Sequence, residues 1–410
     1  MVDDKEAELK RLRAETEQLR STLKGRDVEV ATLKTELEKL ARLRMEEEGK
    51  LAAREAAGKF MRKGSSMRVL FPFTAIVRQD LMRTAMVLNA INPDIGGVLI
   101  KGEKGTGKSV SVRGLAEVLP EIDAVEGCRF NCDPKELTRL CPECVVKRDK
   151  GILKTIRRPI KVVDLPLNTT EDRLMGSIDI EKVLGEGTKA FEPGILADVH
   201  RGILYVDEIN LLDDYVVDVL LDAAASGTVT VEREGISVSH PSKFIIVGSM
   251  NPEEGELRPQ LLDRLALQVE VGGIDSIEDR MEIVRRREEF TRDPLGLRRR
   301  FEPDQEGLRQ RIVKARQLIP RVETPLALKA VIARLSLAFK VHGHRSDIII
   351  ERTARANAAF EGRTEVSAMD VETAGLLALP HRARLPSAEK ARWGRELVKE
   401  KLARIQEEVQ

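Results

Sequence analysis

Eight consecutive residues, Gly102-Glu103-Lys104-Gly105-Thr106-Gly107-Lys108-Ser109, have the types and spacing of a loop that holds phosphate. Glycines 102, 105 and 107 let successive backbone N–H groups turn toward an anion without a Cβ in the way, and Thr106 continues the same run of amides. A helix beginning here adds its positive N-terminus. Lys108 would neutralise the β- and γ-phosphates of ATP, and Ser109 would offer its hydroxyl to the accompanying Mg²⁺. An ordinary glycine-rich strand-to-helix turn is the bland alternative, but it leaves Lys-Ser at this offset unexplained.

Phosphoryl chemistry on such a loop needs an acid for the metal and a group to polarise the attacking water. Ile203-Leu204-Tyr205-Val206-Asp207-Glu208 has the form of a buried strand ending in two carboxylates. Asp207 would hold Mg²⁺, in part through water, and Glu208 would act on the nucleophile. Alone, the pair would read only as a helix-capping signal. Asn251, at the end of Gly248-Ser249-Met250-Asn251-Pro252, could orient water or touch the γ-phosphate; its other reading is a turn-forming Asn before Pro. In Arg258-Pro259-Gln260-Leu261-Leu262-Asp263-Arg264, Arg264 is the preferred charge-stabilising finger supplied by a neighbouring subunit, with Arg258 in reserve. Surface ion pairs are the competing role.

All four cysteines fall within seventeen residues, as Cys128-x3-Cys132 and Cys141-x2-Cys144. A tetrahedral Zn²⁺ site of four thiolates fits this clustering, although the x3 spacing and the short connection are unusual for a zinc ribbon. Reduced cysteines in an insertion loop and a redox sensor are the other two readings. The histidines at 200, 240, 342, 344 and 381 receive no catalytic role, and Trp393 reads as a packing anchor.

Three short apolar runs, Val98-Leu99-Ile100, Ile203-Leu204-Tyr205-Val206 and Phe244-Ile245-Ile246-Val247, read as buried parallel strands that would carry these residues at their ends. Thr228 to Val238 has β-branched alternation about a glycine-bearing centre, the signature of a hairpin. From about Ser276 the pattern is helical, with Pro294, Pro303, Pro320 and Pro325 expected to separate helices. From Leu9 to Leu43 a leucine seam with two misses, Thr16 and Arg26, predicts a coiled coil or, failing that, a single solvated helix. The expected organisation is a coiled coil over 1–63, an α/β nucleotide-binding domain over 64–275 with a cysteine-rich insertion at 128–144, an all-helical domain over 276–385, and a charged C-terminal helix over 386–410.

A chain of 410 residues is long enough for several folded units, and 33% charged with 3% aromatic residues favours helices with solvated faces. A formal charge of +1 gives no general attraction to nucleic acid. No apolar run is long enough for a membrane span, and the N-terminus lacks a secretory pattern, so a cytoplasmic protein is expected.

Taken together, these features resemble the AAA+ ATPases, and more narrowly the small AAA+ subunit of magnesium chelatase, over about Leu70 to Leu385. The most specific stretches are Val163-Asp164-Leu165-Pro166-Leu167 with Thr170-Glu171-Asp172-Arg173, Lys189 to Gly194, Tyr205 to Leu212, and Asn251 to Arg264. The resemblance implies an α/β P-loop core with a helical lid. In it Lys108 and Ser109 are Walker A residues, Asp207 and Glu208 Walker B, Asn251 sensor 1, Arg264 the trans-acting finger and Arg345 the sensor 2 arginine. It also implies an ATP-dependent homo-oligomeric, hexameric ring working with a second AAA+ subunit that carries an integrin-like domain. A porphyrin-binding subunit would then insert Mg²⁺ during tetrapyrrole and chlorophyll biosynthesis, a ligase activity. Gly176 to Pro193 corresponds to the helix 2 insertion and Thr228 to Val238 to the hairpin before sensor 1. The chain departs from the family in its N-terminal extension, in Leu265-Ala266 where Phe-Gly is typical, and in its elaborate cysteine insertion. A cobaltochelatase-type or chaperone-like ATPase, and a nucleotide-switched coiled-coil scaffold, are therefore alternative readings.

Overall fold

A computed structural model describes Glu17 and residues 69–178, 191–233, 236–390 and 392–409. The coiled coil expected over 1–63 lies outside the described residues, as does the middle of the insertion expected between Gly176 and Pro193. Val69–Gln410 forms one compact unit.

Its centre is a five-stranded parallel sheet. In chain order the strands of this sheet and its flanking elements begin with helix α1 (Asp80–Ile91), β1 (Val98–Gly102) and α2 (Lys108–Val118). They continue with β2 (Ile122–Val125), α3 (Pro142–Asp149), β3 (Thr155–Arg158) and β4 (Val162–Leu165). Next come α4 (Glu171–Met175), β5 (Gly176–Ile178), β6 (Phe191–Pro193), α5 (Ile195–Asp198), β7 (Ile203–Val206) and α6 (Asp214–Ser226). The hairpin β8 (Thr228–Arg233) and β9 (Ile236–Pro241) precedes β10 (Ile245–Met250), α7 (Pro259–Arg264) and β11 (Leu267–Val271). The order across the sheet is β11-β1-β10-β7-β4, every pair parallel.

Three of the five were legible as apolar runs because β1, β7 and β10 occupy the middle of the sheet. Val98, Leu99 and Ile100 are fully buried and β7 and β10 are buried throughout, so neither face needs a polar residue. Leu99, Leu204 and Ile246 feed one core; Val98, Ile100, Ile203 and Val247 feed the other. The hairpin forms as expected, with six residue pairs from Thr228–Pro241 to Arg233–Ile236.

The helical region starts at α8 (Ile277–Arg292), whose N-cap Ser276 accepts a hydrogen bond from the Asp279 amide at 3.2 Å. It continues with α9 (Pro294–Leu318), α10 (Leu326–Ala338), α11 (Arg345–Phe360), α12 (Ala368–Ala378), α13 (Ser387–Lys390) and α14 (Arg395–Val409). Pro294 opens α9 and Pro325 caps α10, but Pro303 lies inside α9 and does not end it. That helix is held by packing on α8 and α11, with Leu297, Ile312 and Ala315 buried, which offsets the missing backbone donor. The charged C-terminal segment is likewise two helices rather than one. Trp393 leaves the helical path to meet Phe339 edge-on at 5.4 Å, and α14 buries Leu397, Val398, Leu402 and Ile405 against α10 and α12.

Candidate nucleotide site

The phosphate loop leaves β1, an interior strand between β11 and β10, and runs into α2, so its amides converge at the helix N-terminus. Gly105 and Gly107 both have φ +84°, the left-handed region, and a Cβ at either would meet nothing within 4 Å. Conformation, not space, therefore demands glycine there. Thr106 closes the turn by donating to the Glu103 carbonyl at 3.0 Å. Lys108 donates its ammonium protons to the carbonyls of Gly102 and of Glu103, the latter at 3.2 Å. Partial burial lowers its pKa, opposed by the nearby carboxylates Asp207 and Glu208, which puts the strand-end acids beside the loop.

Asp207 and Glu208 follow β7. The Asp207 carboxylate accepts from the Tyr205 hydroxyl at 2.8 Å and from the Ser249 hydroxyl, and Ser249 in turn accepts from the Glu208 amide at 3.1 Å. Glu208 is held at φ 53°, a conformation that costs a non-glycine residue energy and that these bonds across β7 and β10 maintain. Lys104 spans Glu208 at 3.4 Å and Glu254 at 2.5 Å, tying the loop to the segments that follow β7 and β10. The hydroxyl of Ser109 and the carboxylate of Asp207 would supply oxygen donors only, a chemistry that suits a hard Mg²⁺ ion. Asn251 is buried and caps the turn Pro252–Glu254, its carbonyl accepting from Glu253 N at 3.4 Å. Its amide nitrogen is the donor available for a phosphate or water. Tyr205, Ser249, Lys104 and Glu254 lie inside the motifs read from the sequence, but their contacts with the acids and with the loop were not foreseen there.

Beside Gly105, Thr106 and Gly107 opens a cavity of about 490 Å³ lined by Ile76, Val77, Val110, Ile274 and Ile283 together with Arg280, Arg286 and Arg287. A base whose phosphates lie on the loop fits this apolar space. Filling it with Val77→Trp is expected to weaken ATP binding about tenfold or more, a cost of ~1.4 kcal/mol. Titration of the purified variant with a fluorescent ATP analogue measures this.

Arg264 and Arg345 line a different cavity, of about 590 Å³, together with Asp222, Lys243, Arg139 and Arg352. Arg264 pairs with Asp222 at 2.7 Å and Asp218 at 3.2 Å, both on α6. Arg345, at the first position of α11, pairs with Asp263 at 3.0 Å. The lid thus brings Arg345 next to Arg264, not to the phosphate loop of its own chain. Arg258 stays exposed and paired with Asp214. A buried arginine not foreseen from sequence, Arg382, donates to the carbonyls of Asp263 (2.7 Å), Leu265 (2.9 Å) and Ala266 (2.8 Å) and to the Asp263 carboxylate (3.0 Å). Burial pushes its pKa down to about 10, and it fixes the turn that carries Arg264.

The cysteines come together. All four are buried, and their Sγ atoms lie within 4.8 Å of one another. Burial leaves His200 neutral, its pKa held down to about 4, with Nδ1 accepting from the Lys243 amide at 2.9 Å; this is a structural histidine.

A phosphate loop on interior strand β1 of this parallel sheet, paired acids at the end of β7 two strands away and a packed helical lid define an AAA+ protein, an α/β nucleotide-binding core with its lid domain. The profile of the AAA lid domain matches residues 329–405, and that of "Magnesium chelatase, subunit ChlI" matches residues 176–258. The magnesium-chelatase subunit ChlI homolog of Methanocaldococcus jannaschii is 54% identical over 78% of this chain and 87% of its own length. The magnesium-chelatase 38 kDa subunit of Acidiphilium rubrum is 51% identical over 77% of this chain and 91% of its own. A solved Cytophaga hutchinsonii protein, 17% identical and aligned over 88% of this chain and 98% of its own, shares the fold at a TM-score of 0.53. The chain belongs to the magnesium-chelatase subunit ChlI family. No helix among the described residues is long and apolar enough to cross a membrane.

Proposed function

We propose that this protein is the ATP-hydrolysing motor subunit of a magnesium-chelatase-type complex, acting in the cytoplasm. Its phosphate loop, with Gly102, Gly105, Thr106, Gly107 and Lys108, binds MgATP, and Ser109 and Asp207 hold the metal. Glu208 polarises the attacking water and Asn251 orients it. The observation that carries the reading is the separation of Arg264 and Arg345 from their own loop: both line a second cavity, beside acids of α6. A complete site then needs a second subunit, whose Arg264 and Arg345 approach the γ-phosphate across the interface and whose own site is completed by the next. A closed ring, hexameric in the family, satisfies that head-to-tail demand.

Hydrolysis in the ring would drive a second AAA+ subunit and a porphyrin-binding subunit that inserts Mg²⁺ into protoporphyrin. Metal insertion itself belongs to that partner. Pull-down from the native cell with ATP present is expected to recover a porphyrin-binding subunit, and the recovered set is expected to form Mg-porphyrin, seen by its fluorescence, only with ATP. Recovery of a cobalt-inserting subunit or of an unrelated metalloenzyme would replace this reading with one of the other motor functions.

A further inference from the structure

The segment between β2 and β3 has little regular structure apart from a 3₁₀ turn and the eight-residue helix α3, yet it encloses a small core of its own. Cys128, Cys132, Cys141 and Cys144 make up most of that core, at 3%, 0%, 1% and 0% exposure, with Val125, Phe130 and Ala197 around them. Seven buried residues are too few to hold an irregular loop of this length by apolar burial alone, and such units usually need a cross-link or a metal.

The geometry favours the metal. A tetrahedron with Zn–S bonds of about 2.3 Å has sulfur–sulfur edges of about 3.8 Å. Here Sγ of Cys128 and Cys141 are 3.9 Å apart, and all four sulfurs fall within 4.8 Å of one another. Each sulfur therefore faces three others, rather than one, as a disulfide pair would. The amide of Cys141 donates to Sγ of Cys132 at 3.3 Å, an N–H···S contact of the kind that stabilises ligating thiolates. Cys141 and Cys144 sit at the N-cap and in the first turn of α3, where the helix dipole favours negative charge.

We infer that Cys128, Cys132, Cys141 and Cys144 bind one Zn²⁺ as four thiolates in a closed structural site. Binding converts four thiols to thiolates and releases four protons, with no change in oxidation state. No position is left open for water, so the ion does no catalysis.

What the clamp holds is visible in its contacts. Phe130 stacks on His240 of β9 (centroids 5.3 Å, 17°), and Phe191 of β6 meets the same ring at 5.6 Å. The roots of the hairpin and of the 176–193 insertion thus rest on the cysteine core. Arg201, just before β7, donates to the carbonyls of Asp123 and Asn131 and to the Asp133 carboxylate at 2.7 Å. Arg139, between the two cysteine pairs, lines the cavity that holds Arg264 and Arg345. The clamp therefore ties both insertions and the arginine cavity to the strand carrying Asp207 and Glu208.

The inference is independent of the identity of the client and is tested on the untagged full-length protein purified without chelators. Elemental analysis is expected to give one zinc per chain, with the four thiols unreactive toward a disulfide reagent until a mercurial displaces the metal. Co²⁺ exchanged into the wild-type protein should give tetrahedral d–d bands with thiolate-to-cobalt charge transfer, a readout that needs no variant. Cys144→Ser should lose the metal, and amide exchange in Ile236–Pro241 should accelerate while β1 stays protected. Zinc-free protein with four freely reactive thiols, two disulfides in place of metal, or one zinc retained in Cys144→Ser with a cobalt spectrum lacking thiolate bands would overturn it.

Discussion

Glu208→Gln is expected to bind ATP with an affinity close to that of the unaltered protein and to hydrolyse it at least about 100-fold more slowly, the usual scale for removing a positioned general base. The substitution keeps size and hydrogen bonding but removes the negative charge. Glu208 is not needed for the loop's own geometry: the turn is set by Gly105 and Gly107 and by Thr106 donating to Glu103. Its backbone is held by Ser249 through the amide, which the substitution leaves in place. The ion pair with Lys104 would be lost, but Lys104 retains Glu254 at 2.5 Å. Equilibrium binding of a fluorescent ATP analogue and steady-state phosphate release separate the two effects. Unchanged turnover would remove Glu208 from the chemistry.

Arg264→Ala is expected to cost roughly a thousand-fold or more in turnover, the scale of a trans-acting arginine in phosphoryl transfer, with little effect on ATP binding. Folding should survive because Arg264 is 35% exposed and its partners Asp218 and Asp222 are 49% and 71% exposed. Exposed pairs of this kind contribute at most about 1 kcal/mol. Arg382 is the contrasting position. It is 2% exposed and holds three carbonyls of the same turn, so its loss would leave buried acceptors without donors. Thermal unfolding distinguishes the two, with Arg264→Ala close to the unaltered protein.

Which features could be read from the sequence follows from how each is built. The phosphate loop is contiguous, with Gly105 and Gly107 required by backbone conformation and Gly102 by the close approach of Val271, so its pattern lies within eight residues. Strands β1, β7 and β10 stood out because burial on both faces leaves continuous apolar runs. The two edge strands were not foreseen: Val162-Val163-Asp164-Leu165 and Leu267-Gln268-Val269-Glu270-Val271 carry polar residues, and alternation over four or five residues is a weak signal. The base cavity is assembled from residues 71–79 and 272–287 around the loop, segments whose closeness exists only in three dimensions. Arg382 is one of 69 lysines and arginines, and nothing in its sequence neighbourhood marks it as buried. Pro303 misled in the other direction, because a long helix packed on two others tolerates one lost donor. The cysteine cluster was legible as a cluster, but the closeness of the four sulfurs came from the fold.

The central claim is that the site is divided between neighbours, and complementation of two inactive variants tests it most directly. Asp207→Asn lacks the metal acid but keeps Arg264; Arg264→Ala lacks the finger but keeps the loop and acids. Each alone should be nearly inactive. In rings assembled from an equal mixture, about one quarter of interfaces pair an intact loop with an intact finger, so ATPase activity should return to about a quarter of the unaltered level. A mixture no more active than its components would contradict a shared site and return Arg264 to the surface of its own subunit.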